Sequence, residues 1–227
     1  MKKLNAFTLA EVLIVIAIIG IIATLTLPTL NNNIMKNMAA TGLAKAINDL
    51  ESANKLFLEQ NHLRNLTEHL GMADTNDQFR YFNMINAVMP LTRYDQNYTY
   101  NRFAGNAYGT SAATYTGKDG ITYTTRGNIQ TAQGTVPDGY SGQYFQVIVD
   151  VNGSLKGPNN LGKDVFNLDI DTKGNVIPEG SRQYAMYVGN NNALWEGRCI
   201  KQNGGPSDGG VSCAGAIVDN GYKVLYY

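Results

Sequence analysis

The chain has 227 residues, room for one ordinary domain and an additional element. Its 18 Lys+Arg and 18 Asp+Glu cancel to a formal net charge of zero, which argues against nucleic-acid binding, because that affinity rests on a basic surface. With 2 Cys and 2 His, a four-ligand zinc centre would need every one of them at a spacing that does not suit it.

The chain begins Met1-Lys2-Lys3-Leu4-Asn5-Ala6, followed by Phe7-Thr8-Leu9-Ala10-Glu11. No charged residue occurs from Val12 to Met35, and Val12–Ala23 is almost wholly aliphatic. A run of ~20 apolar residues at ~1.5 Å rise matches a hydrocarbon core of ~30 Å, so a membrane-spanning helix is predicted. Lys2 and Lys3 precede the run and the next base is Lys36, which by the positive-inside rule leaves the N-terminus cytoplasmic and exports the rest. A cleaved secretory signal is the competing reading. Against it, Thr24–Leu30 contains no Ala-x-Ala and the apolar run is long for such a signal. Glu11 is out of place, since an unpaired carboxylate deep in a bilayer costs about 2.5–3.5 kcal/mol. Either it sits in the first helical turn, where the helix dipole favours an anion, or it has a partner.

Ala6 to Glu11 and the aliphatic run to Ala23 resemble the N-terminus of the type IV pilin and type II secretion pseudopilin family. The shared pattern is a short basic leader, a small residue, Phe, three residues, Glu, then a long aliphatic run with Gly and Pro at set distances. It covers roughly the first 30 residues. The resemblance implies an α+β fold, with a long N-terminal helix, membrane-spanning in its first half, packed on an antiparallel β-sheet. It also implies that a prepilin peptidase cuts between Ala6 and Phe7 and methylates the new Phe7 amine, with Ala6 standing where the family usually has Gly. Cleavage removes Lys2 and Lys3, leaving a side-chain charge of 16 − 18 = −2. In a stack of parallel helices, the Phe7 amine of one subunit can then meet Glu11 of a neighbour. Such a pair penalises any register that strands either charge. Gly20 and Pro28 belong to this assembly helix, and in pilin-like proteins the Pro region can extend when a filament forms. Pro28 removes one backbone donor; a membrane helix that tolerates Pro near its exit is the plainer reading. The implied partners are prepilin peptidase, other pilin or pseudopilin subunits, an inner-membrane assembly platform and its ATPase.

Beyond Leu30 the composition turns polar, yet Ala39, Leu43, Ala46, Leu50, Ala53 and Phe57 keep a helical spacing and form one apolar stripe. Lys45, Asn48, Asp49, Glu51 and Lys55 lie opposite, so one helix from about Phe7 to about Asn61 is expected, its second half on a sheet; a coiled-coil seam is the alternative. The organisation follows: leader 1–6, transmembrane assembly helix 7–30, amphipathic continuation 31–61 and exported α+β body 62–227. A loop over 62–76 and a second helix over Gln78–Met89, stopped by Pro90, open the body. His62 and His69 lie seven apart and read as surface residues rather than metal ligands.

Thr114–Thr116, Gly117-Lys118-Asp119-Gly120 and Ile121–Thr124 read as a hairpin. The tyrosines Tyr94, Tyr98, Tyr100, Tyr108, Tyr115 and Tyr123 read as strand residues or, alternatively, as a carbohydrate-binding face. Tyr144–Val151, Val165–Ile170, a turn at Asp171–Gly174 and Val176–Pro178 read as an antiparallel meander. Asp150, Asn152, Asp164, Asp169 and Asp171 place oxygen donors before glycines, as a calcium loop does; ordinary turn residues do the same. Calcium is thus the one cofactor considered, and no other is implied. Cys199 and Cys213 flank a glycine-rich loop that looks like the disulfide-bounded loop of many pilins, and an exported location favours the bridge over two free thiols. The segment after Cys213 is expected to form a turn and a last strand.

No Gly-x-Ser-x-Gly, phosphate-binding loop or His-Glu-x-x-His is present, so the chain is expected to be a substrate of processing enzymes rather than an enzyme. The expected role is a polymerising prepilin-like subunit of a secretion pseudopilus or a surface pilus. The alternative is a membrane-anchored exported protein that recognises glycans or a secreted client without polymerising.

Overall fold

A computed structural model describes residues 8–66, 68, 80–131, 143–189, 193–199, 201–202 and 205–226. The chain divides into two compact units, one up to Lys36 and one from Asn37. The first helix, α1, covers Leu9–Gln60 and continues through Pro28. Thr24 Oγ1 donates to the carbonyl of Ile21 at 2.8 Å and Thr26 Oγ1 to that of Ile22 at 3.0 Å, so side-chain hydroxyls add to the backbone ladder ahead of the proline. Gly20 has open space around it.

In the second unit, a sheet of six strands is antiparallel throughout, in the order β1-β4-β5-β6-β7-β8. The strands are β1 Leu91–Tyr94, β4 Thr114–Gly117, β5 Thr122–Thr131, β6 Gln143–Asp150, β7 Val165–Asp171 and β8 Val176–Pro178. Between β1 and β4 the chain makes a separate hairpin of β2 Tyr98–Asn101 and β3 Ala107–Ser111. The hairpin and meander expected from sequence are present, with Tyr115 opposite Tyr123 and Phe145 opposite Ile170.

The predicted stripe is the packed face of α1. Ala39, Leu43, Ala46, Leu50, Ala53 and Phe57 are all buried, together with Ala40 and Ile47. They share one core with Tyr115, Tyr123, Phe145, Val147, Val149, Phe166, Leu168 and Ile170, the inward positions of β4 to β7. Asn54 is wholly buried in the same stripe. Its Nδ2 donates to the Gly174 carbonyl at 2.9 Å and its Oδ1 accepts from the Tyr81 hydroxyl at 2.7 Å. One amide thus ties α1 to the β7–β8 turn and to α2, Arg80–Ile85. Gly174 has φ +84 and a Cβ there would meet Asn54 Cβ at 2.6 Å, so the turn needs glycine to come this close.

Several expectations are corrected. The second helix ends at Ile85, not Met89, because Val88 N and Met89 N close turns on the Ile85 carbonyl, and Asn86 Oδ1 accepts from Leu91 N at 2.6 Å. Gln78, Phe79 and His69 lie outside the described residues, as does most of the loop over 62–76. The last strand is absent from Val224–Tyr226, where docking of the Tyr226 hydroxyl on the Gly162 carbonyl at 2.6 Å holds the chain instead of a ladder. Two short helices, α3 Arg182–Val188 and α4 Cys213–Asp219, were not anticipated. The signals for α3 were present: Ser181 Oγ accepts from Tyr184 N at 3.0 Å, and Gly189 ends the helix at φ 67. In α4, a Cβ on Gly215 would meet Ser181 N at 2.0 Å, so contact with α3 rather than helical periodicity selects this segment.

Asn54→Ala removes both buried bonds and strands the Tyr81 hydroxyl. The expected loss is about 1–3 kcal/mol of unfolding free energy, read by urea titration of the full chain in detergent.

Candidate functional site

The first turn of α1 carries the carboxylate singled out in the sequence. Thr8 lies just before the helix, and its carbonyl accepts from Val12 N at 3.3 Å. Glu11 Oε2 accepts from both Thr8 N and Thr8 Oγ1 at 2.8 Å, and Glu11 N donates to Thr8 Oγ1 at 3.3 Å. This is a reciprocal capping box, the Thr-x-x-Glu arrangement that satisfies otherwise orphaned helix donors. Glu11 thus sits in the first helical turn, with Thr8 of the same chain as its partner. The spacing Thr8 to Glu11 is itself the sequence signature of such a cap. Ala6 and Phe7 lie outside the described residues.

From Leu9 to Leu30 every large aliphatic side chain of α1 is exposed, and this helix is long and apolar enough to cross a membrane. In the second unit, by contrast, a few carboxylates are buried. Asp150 and Asp164 are buried on the side of the sheet away from α1. Asp150 Oδ2 accepts from the Tyr98 hydroxyl at 2.7 Å, while its Oδ1 accepts from Asn152 N at 3.2 Å and Gly153 N at 3.0 Å. Asp164 Oδ1 accepts from Asn160 N at 2.7 Å, and its Oδ2 from Asn159 N at 2.9 Å and Asn152 Nδ2 at 3.2 Å. Burial pushes the Asp150 carboxyl up to about 7, against the lowering effect of its hydrogen bonds, and Asp164 beside it adds to the rise. Asp164 is raised by burial too.

Asp169 lies further along β7, opposite Gln146, and is wholly buried. Burial and the Glu179 carboxyl beside it hold Asp169 well above the usual carboxylate range. Asn167 Nδ2 donates to Glu179 Oε2 at 2.9 Å. Asp171 closes the β7–β8 turn by accepting from Lys173 N, Asn175 N and Asn175 Nδ2 at 2.8–2.9 Å. The five residues weighed as calcium donors therefore divide among three places: Asp150, Asn152 and Asp164 in one network, Asp169 against Glu179, and Asp171 in a turn. Among the described residues, no group of three or more His, Cys, Asp and Glu side chains is placed to hold a metal ion. The Asp169–Glu179 pair was not legible, because the two residues meet only through the β7–β8 pairing.

Of the tyrosines considered as a binding face, Tyr98, Tyr100, Tyr115 and Tyr123 are buried. They are core residues, and Tyr94 alone of the six stands exposed at 49%. Cys199 and Cys213 form a fully buried disulfide with Cα atoms 5.2 Å apart. It packs beneath the turn at Gly162, where a Cβ would meet Cys213 Sγ at 3.1 Å.

Folded Asp150 and Asp164 hold protons more tightly than their unfolded counterparts, and for Asp150 the folded state binds more protons between the ordinary carboxylate value of 3.8 and about 7. The Asp150 contribution to stability therefore falls as pH rises through that window. Asp150→Asn keeps the acceptor for Asn152 N and Gly153 N and removes the titration. Its melting temperature is expected to lose less than that of the parent between pH 5 and pH 8, as scanned by calorimetry. Replacing both cysteines by serine opens the Cys199–Cys213 loop and is expected to cost about 3 kcal/mol in the same denaturation assay.

Comparison with known proteins agrees with the N-terminal geometry. A family model described as the prokaryotic N-terminal methylation motif matches residues 1–27. No curated protein and no solved structure matches the chain. Over those residues, with Thr8 and Glu11 closing the first turn of an exposed apolar helix, the chain carries the prepilin-type signature of type IV pilins and pseudopilins.

Proposed function

We propose that the protein is a filament subunit of the type IV pilus or type II secretion pseudopilus kind, stored in the inner membrane and polymerised through α1, with no catalysis of its own. The carrying observation is the methylation motif at residues 1–27 running directly into a helix whose large aliphatic side chains are exposed from Leu9 to Leu30. Apolar surface left in water costs roughly 25 cal/mol per Å², so this helix requires lipid or other helices around it. Lys2 and Lys3 ahead of the helix favour a cytoplasmic N-terminus and an exported body. A buried disulfide suits an oxidising compartment.

In this reading, prepilin peptidase cuts between Ala6 and Phe7 and methylates the Phe7 amine. The assembly platform and its ATPase then draw the subunit out of the bilayer. The capping box gives Glu11 a resting state in the single subunit, because Thr8 satisfies Oε2 within the same chain. Capping and pairing thus make separable demands on one side chain. The cap needs an oxygen acceptor, whereas pairing with a neighbour's Phe7 amine needs a negative charge.

Glu11→Gln separates the two demands, since Gln completes a capping box without charge. The variant is expected to insert and be processed normally yet fail to enter filaments. Intact-mass spectrometry should show the mature parent chain beginning at N-methylated Phe7. Material beginning at Met1 in cells with active peptidase, or normal filaments from Glu11→Gln, would count against the reading.

A further inference from the structure

A cleft of about 440 Å³ opens on the sheet face turned away from α1, a size within the usual range of small-ligand sites. Three segments wall it: the connection from Tyr94 to Tyr98, the β4–β5 hairpin, and the turn Asn152–Lys156 after β6. Its floor follows from strand alternation. Tyr115 and Tyr123 point into the core shared with α1, so Thr114, Thr116 and Thr122 point the other way. Thr116 Oγ1 and Thr122 Oγ1 are hydrogen-bonded at 2.9 Å, and Ser154 N donates to Thr122 Oγ1 at 3.4 Å. On the rim, Tyr94 is 49% and Leu155 is 92% exposed.

The cleft is held in shape from behind. Tyr98 is fixed by Asp150, and Asn152 by Asp164. The turns at Gly120 and Gly153 touch so closely that a Cβ on Gly153 would meet the Gly120 carbonyl oxygen at 2.7 Å. Among the described residues, no carboxylate lines the cleft and Lys156 is its one charged side chain.

We propose that this cleft binds a neutral sugar unit of an oligosaccharide. The exposed amides of Gln96 and Asn97 both donate and accept, which matches a ring carrying several hydroxyl groups. Tyr94 offers an exposed aromatic face to the C–H side of such a ring, and Leu155 a second apolar contact. A cationic ligand finds no counter-charge here. A purely apolar ligand would cover the exposed amides of Gln96 and Asn97 without satisfying them, which is costly. The site belongs to the body and is independent of whether the chain polymerises.

The test uses the full chain in a detergent without a sugar headgroup, applied to an array of galactose-, mannose- and N-acetylglucosamine-terminated oligosaccharides beside sialylated counterparts and a set of uncharged peptides. Retention of a neutral glycan is expected, weakened about tenfold or more by Tyr94→Ala and by Leu155→Asp. The exposed positions of Tyr94 and Leu155 should leave the melting temperature near that of the parent, and having both variants keeps the test decisive if one misfolds. Retention of no neutral glycan, binding confined to sialylated glycans or to peptides, or glycan binding indifferent to both rim substitutions would overturn the proposal.

Discussion

Burial of one helical stripe against one sheet face is the constraint on which the Asn37–Tyr227 unit rests. Ala39, Ala46 and Ala53 alternate with Leu43, Leu50 and Phe57, so small side chains let the helix approach the sheet while the large ones fill the gaps between inward strand residues. The inner positions of β4 to β7 supply Tyr115, Tyr123, Phe145, Val147, Phe166 and Leu168 to the same core. Asn54 is the polar exception, and it is tolerated because both ends of its amide are used, one by the β7–β8 turn and one by α2. That buried amide specifies how the helix, the turn and α2 meet, which aliphatic packing alone would leave loose.

The far face of the sheet is built on different physics. All seven residues of β7 are buried, so its outward side chains are covered too. There Asn167, Asp169 and Asp171 lie among apolar residues such as Val165, Ile148 and Ile177, with the buried Asp150 and Asp164 nearby. Most of these carboxylates work as anchors for backbone N–H groups in turns that cover the sheet, which is how irregular chain can be buried without stranded donors. The same covering turns shape the cleft beside Thr116 and Thr122. Asp169 stands apart: it is buried beside Glu179, and both burial and that neighbouring carboxyl raise its pKa well above the usual carboxylate range.

Up to Lys36 the logic is inverted. Aliphatic side chains are outside, and the polar group that matters, Glu11, is folded onto the helix end by Thr8. Glu11 itself is exposed, and its carboxylate is held by Thr8 of the same chain. On the proposed function, the same side chain is both a cap and a charge to be matched on assembly.

What the sequence determined by itself is whatever rests on local spacing. The uninterrupted aliphatic run from Val12, the stripe from Ala39 to Phe57, the Thr114–Thr124 hairpin and the β6–β7–β8 meander all depend on neighbours a few residues apart, and periodicity reports those directly. The cap of Thr8 on Glu11 belongs with them, since three residues of spacing suffice for it. Tertiary structure decided the rest. α4 forms because Gly215 fits against Ser181, Val224–Tyr226 is held by a hydroxyl rather than a ladder, and Tyr98 is drawn inward by Asp150. The tyrosines divided into four buried core residues and an exposed Tyr94 for the same reason: which face of a strand is covered depends on what folds over it from elsewhere in the chain. Contacts between residues fifty or more positions apart, such as Tyr98 with Asp150 or Asn54 with Gly174, leave no periodic trace, and these are the ones that set the buried carboxylates and the cleft.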